Sequence, residues 1–415
     1  MDNFNLFKFN RYWTLLISIA FIFFLLYLYY TLFPGNISPD VYRYFTPAEV
    51  AKAREYHKIN RLLYIFSFLI DAVFFIWLVF GNGAVKISLL TEKLSSGHYY
   101  LNVSLFFIIL WLILKVISLP YSLYSYLLDA SLGFSTQSIT AWCLDYLKNS
   151  ILDVIISYLG VILFFYAANK WRYSWWLPAS VFLSIMLFIQ NLIWPYVIAP
   201  LFNKFTPVKD PAVLKMVEEI SKNAGININR VEVMDASRRT TRANAYFYGF
   251  GKNRRIVLYD TLLNKYPKDE IKAVIAHEAA HWKENHVLKS LLIGIIGIFI
   301  ALFILHQLLK STLIWPHGKK IAVASLALVY LSLILIGFDS NPIQNYISRK
   351  MEQQADLLSV SFLHAKQPVI KLQVDLAKKS LSDVEPPDFI EWFSYTHPST
   401  MHRIQYVEKS KILSQ

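Results

Sequence analysis

Cysteine is almost absent from this sequence: Cys143 stands alone among 415 residues. No intrachain disulfide can form, and a cysteine-rich metal site is excluded. Charge is scarce as well. Asp, Glu, Lys and Arg make up 17% of the chain, against about 25% in an ordinary soluble domain. No dense Lys/Arg run with interleaved aromatics occurs. The formal net charge of +13 therefore points to basic loops facing anionic lipid, and nucleic acid is not an expected partner. Internal repeats and low-complexity linkers are also missing. What is there is apolar: 55% of residues are hydrophobic and the mean hydropathy is +0.39. That is the composition of an integral membrane protein.

Runs long enough to cross about 30 Å of hydrocarbon lie near 12–33, 62–80, 101–119, 151–168, 177–199, 287–309 and 321–338, seven in all. The first is longer than a signal-peptide core and no small-residue cleavage site follows it, so it is expected to be a retained helix. The fourth is the weakest because it carries Asp153. Pro34, Pro120, Pro200 and Pro316 sit at or beyond run ends, where helices commonly stop. Asp71, Lys115, Asp153 and Lys289 lie within runs. Such residues face a wet interior or pair with one another, although Lys289 can snorkel from a helix end.

Two segments are polar. In 201–286, PAVLKMVEEISKNAG predicts an amphipathic helix with Asp210 as N-cap, Pro211 in its first turn and Gly225 near its end. RVEVMDAS, NAYFYGF and RRIVLYD predict three short strands. YPKDEIKAVIAHEAAHWKENH predicts a helix with Asp269 and Glu270 in its first turn. The second segment, 341–415, is mostly helical. The expected division is 1–200, spans one to five; 201–286, a polar unit of helices and strands ending in HEAAHWKENH; 287–340, spans six and seven; and 341–415, the helical remainder of that unit. Two spans separate the polar segments, so both lie on one side of the membrane, together with the loop 34–61. Arg43, Lys52, Arg54, Lys58 and Arg61 on that loop favour the cytoplasm, while Lys8 and Arg11 pull the other way. The polar segments are expected in the cytoplasm, with the N-terminus outside.

His277 and His281, four apart, differ by about 40° around a helix and face the same way. Two imidazoles so placed can bind one zinc ion, and Glu278 can take a proton from water at the metal. This is the HExxH pattern of zinc hydrolases. A third protein ligand is needed. His286 lies about 140° away on a continuing helix and reads as a polar helix-end residue. In SRKMEQQADLLSV, Glu352 and Asp356 share a helical face. Glu352 can bind zinc while Asp356 orients a ligating histidine from its far nitrogen. Spacing alone leaves them equally an exposed acidic pair beside Arg349 and Lys350.

HEAAHWKENH, then SRKMEQQAD after two spans, then THPSTMHRI, with NAYFYGFGKNRRIVLYDTLL upstream, resembles the type I CAAX prenyl endopeptidases. The resemblance covers the seven spans and nearly all of 190–410. It implies a mainly α fold: a seven-transmembrane-helix barrel enclosing a chamber, with a small α+β gluzincin zinc-protease domain at one membrane face. It implies one Zn2+ per chain held by His277, His281 and Glu352, with Glu278 as general base and Asp356 orienting a histidine. Asn244, Ala245, Tyr246 and Phe247 resemble the strand that aligns substrate main chain. His397 and Arg403 resemble residues near the scissile carbonyl; taken alone, HPS is a turn before the last helix and Arg403 a surface charge. The expected partners are a peptide or prenylated peptide and membrane lipid, and the expected state is a monomer. HEAAHWKEN departs from the usual HELGHWK, and the chain is short at its ends and loops, as in a bacterial member. The competing readings are an HtpX-like quality-control protease, which has about four spans, a transporter or channel with its site at mid-membrane, and a catalytically dead chamber protein sheltering lipid-linked partners.

Overall fold

The computed structural model describes residues 6–249, 255–313 and 319–411. Pro316, Phe250 of the NAYFYGF stretch and Arg254 of RRIVLYD lie outside the described residues. The chain begins with α1 (Arg11–Leu32), α2 (Pro47–Phe80), α3 (Gly83–Leu94), α4 (Tyr99–Ser131), α5 (Ile139–Lys170) and α6 (Trp176–Ile193). Then come β1 (Phe205–Pro207), α7 (Pro211–Ala224), β2 (Arg230–Met234), β3 (Ala245–Tyr248), β4 (Arg255–Tyr259), α8 (Asp260–Lys265) and α9 (Lys268–Lys283). The last elements are α10 (His286–Thr312), α11 (Ser325–Leu363), α12 (Gln367–Ser380), α13 (Asp388–Ser394) and α14 (Thr400–Lys409).

Among the described residues, seven helices are long and apolar enough to cross a membrane: α1, α2, α4, α5, α6 with its continuation to Leu201, α10 and α11. They match the seven apolar runs. In sequence α2, α4, α5, α6, α10 and α11 each pack on the next, α11 returns to α2, and α1 packs against both α2 and α11. The spans therefore close into a ring. Lys115 Nζ pairs with Asp153 Oδ2 at 2.8 Å, joining α4 to α5, and Trp111 Nε1 donates to the same oxygen at 3.0 Å. Lys289 reaches Glu284 beyond its helix end, at 3.4 Å.

Pro120 does not end a helix; it lies inside α4. A membrane-spanning helix tolerates an internal proline when nearby groups satisfy the disturbed backbone. Here the proline removes the donor to the Val116 carbonyl, and the Ser118 and Ser122 hydroxyls bond the neighbouring carbonyls of Lys115 and Ser118, at 3.3 and 3.1 Å. Other ends follow the sequence signals. Thr46 and Glu49 form a reciprocal capping box at the start of α2. Asp210 accepts from Ala212 N at 2.9 Å, and Gly225 ends α7 with φ +66°.

The small sheet has the order β1-β2-β4-β3. β2 and β4 are parallel, while β1 and β3 run antiparallel to their neighbours. β1 was not among the expected strands; three residues ending in Pro207 carry no alternation to read. Two cores are formed. One joins the spans to α13, including Phe75, Phe106, Phe165, Leu328 and Phe393. The other joins α7, the sheet, α9, α12 and α14, including Val217, Ile256, Ile275 and Ile404. Val41, Phe45 and Val50 belong to the second core, which places the 34–61 loop on the same side as both polar segments. α11 contributes to both cores. At 1.5 Å per residue its 39 residues run about 58 Å, far more than the ~30 Å of hydrocarbon. It therefore projects several turns out of the membrane, through residue 340 without a break.

Candidate metal centre

α9 supplies HEAAH. Its buried face is Ile271, Ala273, Ile275, Ala276, Ala279 and Ala280. Ala279 and Ala280, the two middle residues of the motif, are fully buried; their small side chains let α11 lie close along α9. That approach brings Glu352 and Asp356, one turn apart on α11, to the two histidines.

His277 Nε2 and His281 Nε2 converge to 3.1 Å. Glu352 Oε2 lies 3.3 Å from the first and Glu352 Oε1 3.3 Å from the second. One ligand atom from each of the three residues falls within 4.8 Å of the others. Glu352 Oε2 is buried and receives no hydrogen bond. Two imidazole nitrogens and a buried carboxylate oxygen short of a donor are the donor set that suits zinc.

On the far side of His277, Nδ1 meets Asp356 Oδ1 at 3.1 Å. Asp356 is fully buried and is gripped by Arg403 from α14, Nε to Oδ2 at 2.8 Å and Nη2 to Oδ1 at 2.7 Å. Arg403 Nη2 also comes within 3.8 Å of Glu352 Oε2. Burial alone would lower the His277 pKa, but the carboxylates of Asp356 and Glu352 beside it overcome this and raise it. Glu278 has its carboxyl raised by burial, against the opposing pull of His277 and His281. His397, in the turn before α14, stands 3.4 Å from Glu352 Oε1 through Nε2 and is bonded through Nδ1 to Thr396 Oγ1 at 2.9 Å. Its side chain is 58% exposed, so this side of the cluster is open.

Arg349 is not part of an exposed charge group around Glu352. Its guanidinium donates to the carbonyls of Glu391 and Tyr395, at 2.7 and 2.6 Å, tying α11 to the end of α13.

Asn244, Ala245, Tyr246 and Phe247 lie on and just before β3, at the sheet edge beside α9. Asn244 Oδ1 accepts from Ala245 N at 2.8 Å, and the Asn244 carbonyl accepts from Tyr259 N at 3.0 Å. Among the described residues no strand pairs with the outer edge of β3. The Phe247 ring lies 5.8 Å from that of Trp282 on α9. Beside them opens a cavity of about 310 Å³, lined by residues that include Trp194, Tyr246, Phe247, Tyr248, Trp282 and Val287.

Residues 207–411 match peptidase family M48, and residues 35–204 match a domain described as CAAX prenyl protease N-terminal, five membrane helices. A CAAX prenyl protease 1 homolog of Arabidopsis thaliana is 32% identical over 71% of this chain and 70% of its own. The chain belongs to the type I CAAX prenyl endopeptidase family. It is a multi-pass membrane metalloendopeptidase. The CAAX prenyl protease 1 of Saccharomyces cerevisiae is 29% identical over 71% of this chain and 70% of its own. A bacterial relative, the uncharacterized metalloprotease YhfN of Bacillus subtilis, is 28% identical over 97% of both chains. The crystal structure of S. mikatae Ste24p superposes with a TM-score of 0.83 at 26% identity, covering 96% of this chain and 100% of that one. The ring of seven spans is the helical barrel of this family, and the match over the N-terminal helices sets the protease apart from one of about four spans.

Proposed function

We propose that the protein is a zinc endopeptidase that cleaves extended, membrane-associated peptides, prenylated ones among them, at the cytoplasmic face of a bacterial inner membrane. The observation that carries this reading is the convergence of His277, His281 and Glu352, with Glu352 Oε2 buried and lacking a hydrogen-bond donor. These three residues would hold the metal, one ion per chain. Zinc held there supplies Lewis-acid polarisation of a peptide carbonyl and acidifies water.

The protein's own groups do the rest. Glu278 takes the proton from the attacking water and returns it to the leaving amine. His397, open to the substrate side, donates to the developing oxyanion, and the fixed charge of Arg403 favours the same species. Asp356 keeps the His277 proton on Nδ1 and so leaves Nε2 free. The open edge of β3 can pair with substrate main chain as an added strand, which places Asn244 to Phe247 along the substrate. The aromatic cavity next to Phe247 and Trp282 suits an isoprenoid or a large apolar side chain. In this reading 201–286 and 341–415 form one catalytic body, and 1–200 with 287–340 form its membrane housing.

The test uses purified protein in proteoliposomes with matched prenylated and unprenylated peptides. Glu278→Gln should keep the metal and lose about 10²- to 10⁴-fold in turnover. Near-normal turnover in a clean Glu278→Gln preparation would remove the proposed base. No cleavage of the prenylated peptide would remove prenylated substrates from this reading.

A further inference from the structure

His286 has a part that helical spacing conceals. Counted along one continuous helix, it points away from the metal face. The helix is not continuous. α9 ends at Lys283, and α10 starts at His286. Between them Asn285 adopts a left-handed conformation with φ +53°, which asparagine tolerates better than most residues. The turn folds His286 back against His281.

The contact is specific. His281 Nδ1 and His286 Nδ1 are 2.9 Å apart. His286 Nε2 lies 3.1 Å from Gln354 Oε1 on α11. His286 is 3% exposed, whereas Gln354 is exposed. Two ring nitrogens at hydrogen-bond distance require a proton on one and a lone pair on the other. The Gln354 carbonyl oxygen can only accept, so His286 carries its proton on Nε2 and offers Nδ1 as the acceptor. His281 then carries its proton on Nδ1, which leaves Nε2, the atom facing His277 and Glu352, with a lone pair.

We propose that His286 is a positioning residue for His281, accepting a hydrogen bond from its Nδ1–H and held in that tautomer by Gln354. The proposal rests on the reading of His281 as a ligand through Nε2. His286 does for His281 what Asp356 does for His277, but with a neutral acceptor in place of a carboxylate. α11 then serves the centre three times: Glu352 at the metal position, Asp356 behind one imidazole, and Gln354 behind the partner of the other. Because His286 is the first residue of α10, the same contact fixes the metal helix to the start of the sixth span.

The experiment measures zinc affinity of the full-length protein in detergent by competition with a chromophoric chelator, alongside circular dichroism. His286→Phe keeps bulk and removes the acceptor, and zinc binding should weaken about 10- to 100-fold. His286→Asn restores an acceptor oxygen near the Nδ1 position and should stay within about threefold of wild type. Gln354→Leu, at an exposed site, frees the His286 tautomer and should weaken binding by several-fold. Wild-type affinity in His286→Phe, or equal losses in His286→Phe and His286→Asn, overturns the proposal. If His286→Phe does not fold, Gln354→Leu decides, and unchanged affinity there overturns it. His281→Ala is the control that separates the two levels. If it retains zinc, the ligand assignment itself fails; if it loses zinc while His286→Phe does not, only the positioning role fails.

Discussion

Asp356 and Arg403 form a two-pronged pair, at 2.8 and 2.7 Å, between α11 and α14. Asp356 is fully buried, and its Oδ1 also faces His277 Nδ1 at 3.1 Å. The last helix is therefore part of the candidate metal centre. A lone buried carboxylate would be costly. Arg403 neutralises Asp356 while its planar fork sets the direction of the remaining lone pairs, and through them the plane of the His277 ring.

Asp356→Asn preserves shape but replaces a carboxylate oxygen with a weaker acceptor or a donor. Zinc affinity or activity should fall by about 10- to 100-fold. Arg403→Lys keeps the charge and loses the fork, and it should reduce activity by at least about tenfold. Both would be measured by chelator competition and peptide cleavage. Wild-type behaviour of Asp356→Asn in both assays would remove its orienting role.

Metal removal should abolish cleavage, and added zinc should restore it at about one ion per chain. His277→Ala and Glu352→Ala should each leave well below half occupancy by elemental analysis after dialysis. A Glu352→Ala protein with full occupancy would show that the third ligand lies elsewhere.

Glu270 gives a pH signature away from the metal. It is buried in the first turn of α9, and its Oε2 has no partner. Burial, followed by the charge of Asp375, pushes its carboxyl up to about 7, against Lys379. A folded-state pKa above the unfolded one means that the folded protein keeps a proton the unfolded chain releases. This contribution to stability is full below about pH 4.5 and is lost as pH rises through about 7. Glu270→Gln should therefore melt with wild type near about pH 5 and about 2 °C above it near about pH 8. A constant offset at both pH values would show that Glu270 does not titrate in this window.

The spans should enclose a wet chamber. Lys115 and Asp153 pair within the apolar runs with side chains 28% and 46% exposed, and charge in lipid is expensive. Cys143 is exposed and must be replaced by serine. Single cysteines at positions 71, 115 and 153 should then react with a small hydrophilic thiol reagent in the folded protein. Silence at all three until unfolding would mean a close-packed bundle.

The seven spans and the helix bearing His277, Glu278 and His281 were legible in the sequence because hydropathy and helical spacing are local properties. Thirty ångströms of hydrocarbon set the length of an apolar run, and 3.6 residues per turn put both histidines on one face. The caps at Thr46, Asp210 and Gly225 belong to the same class. Composition alone also excluded disulfides and cysteine-based metal sites. The rest was settled by contacts between residues far apart in the chain. Glu352 and Asp356 leave the status of an acidic pair because α11 outruns the membrane and packs its end on the alanine face of α9. Arg403 joins them because α14 is anchored in the same core through Met401 and Ile404. Pro120 sits inside α4 and not at its end. His286 reaches His281 because one left-handed residue, Asn285, breaks the periodicity on which helical counting relies. Periodicity reports the face of a helix, whereas the meeting of faces is set by helix length, by bends and by the two cores that hold the helices together.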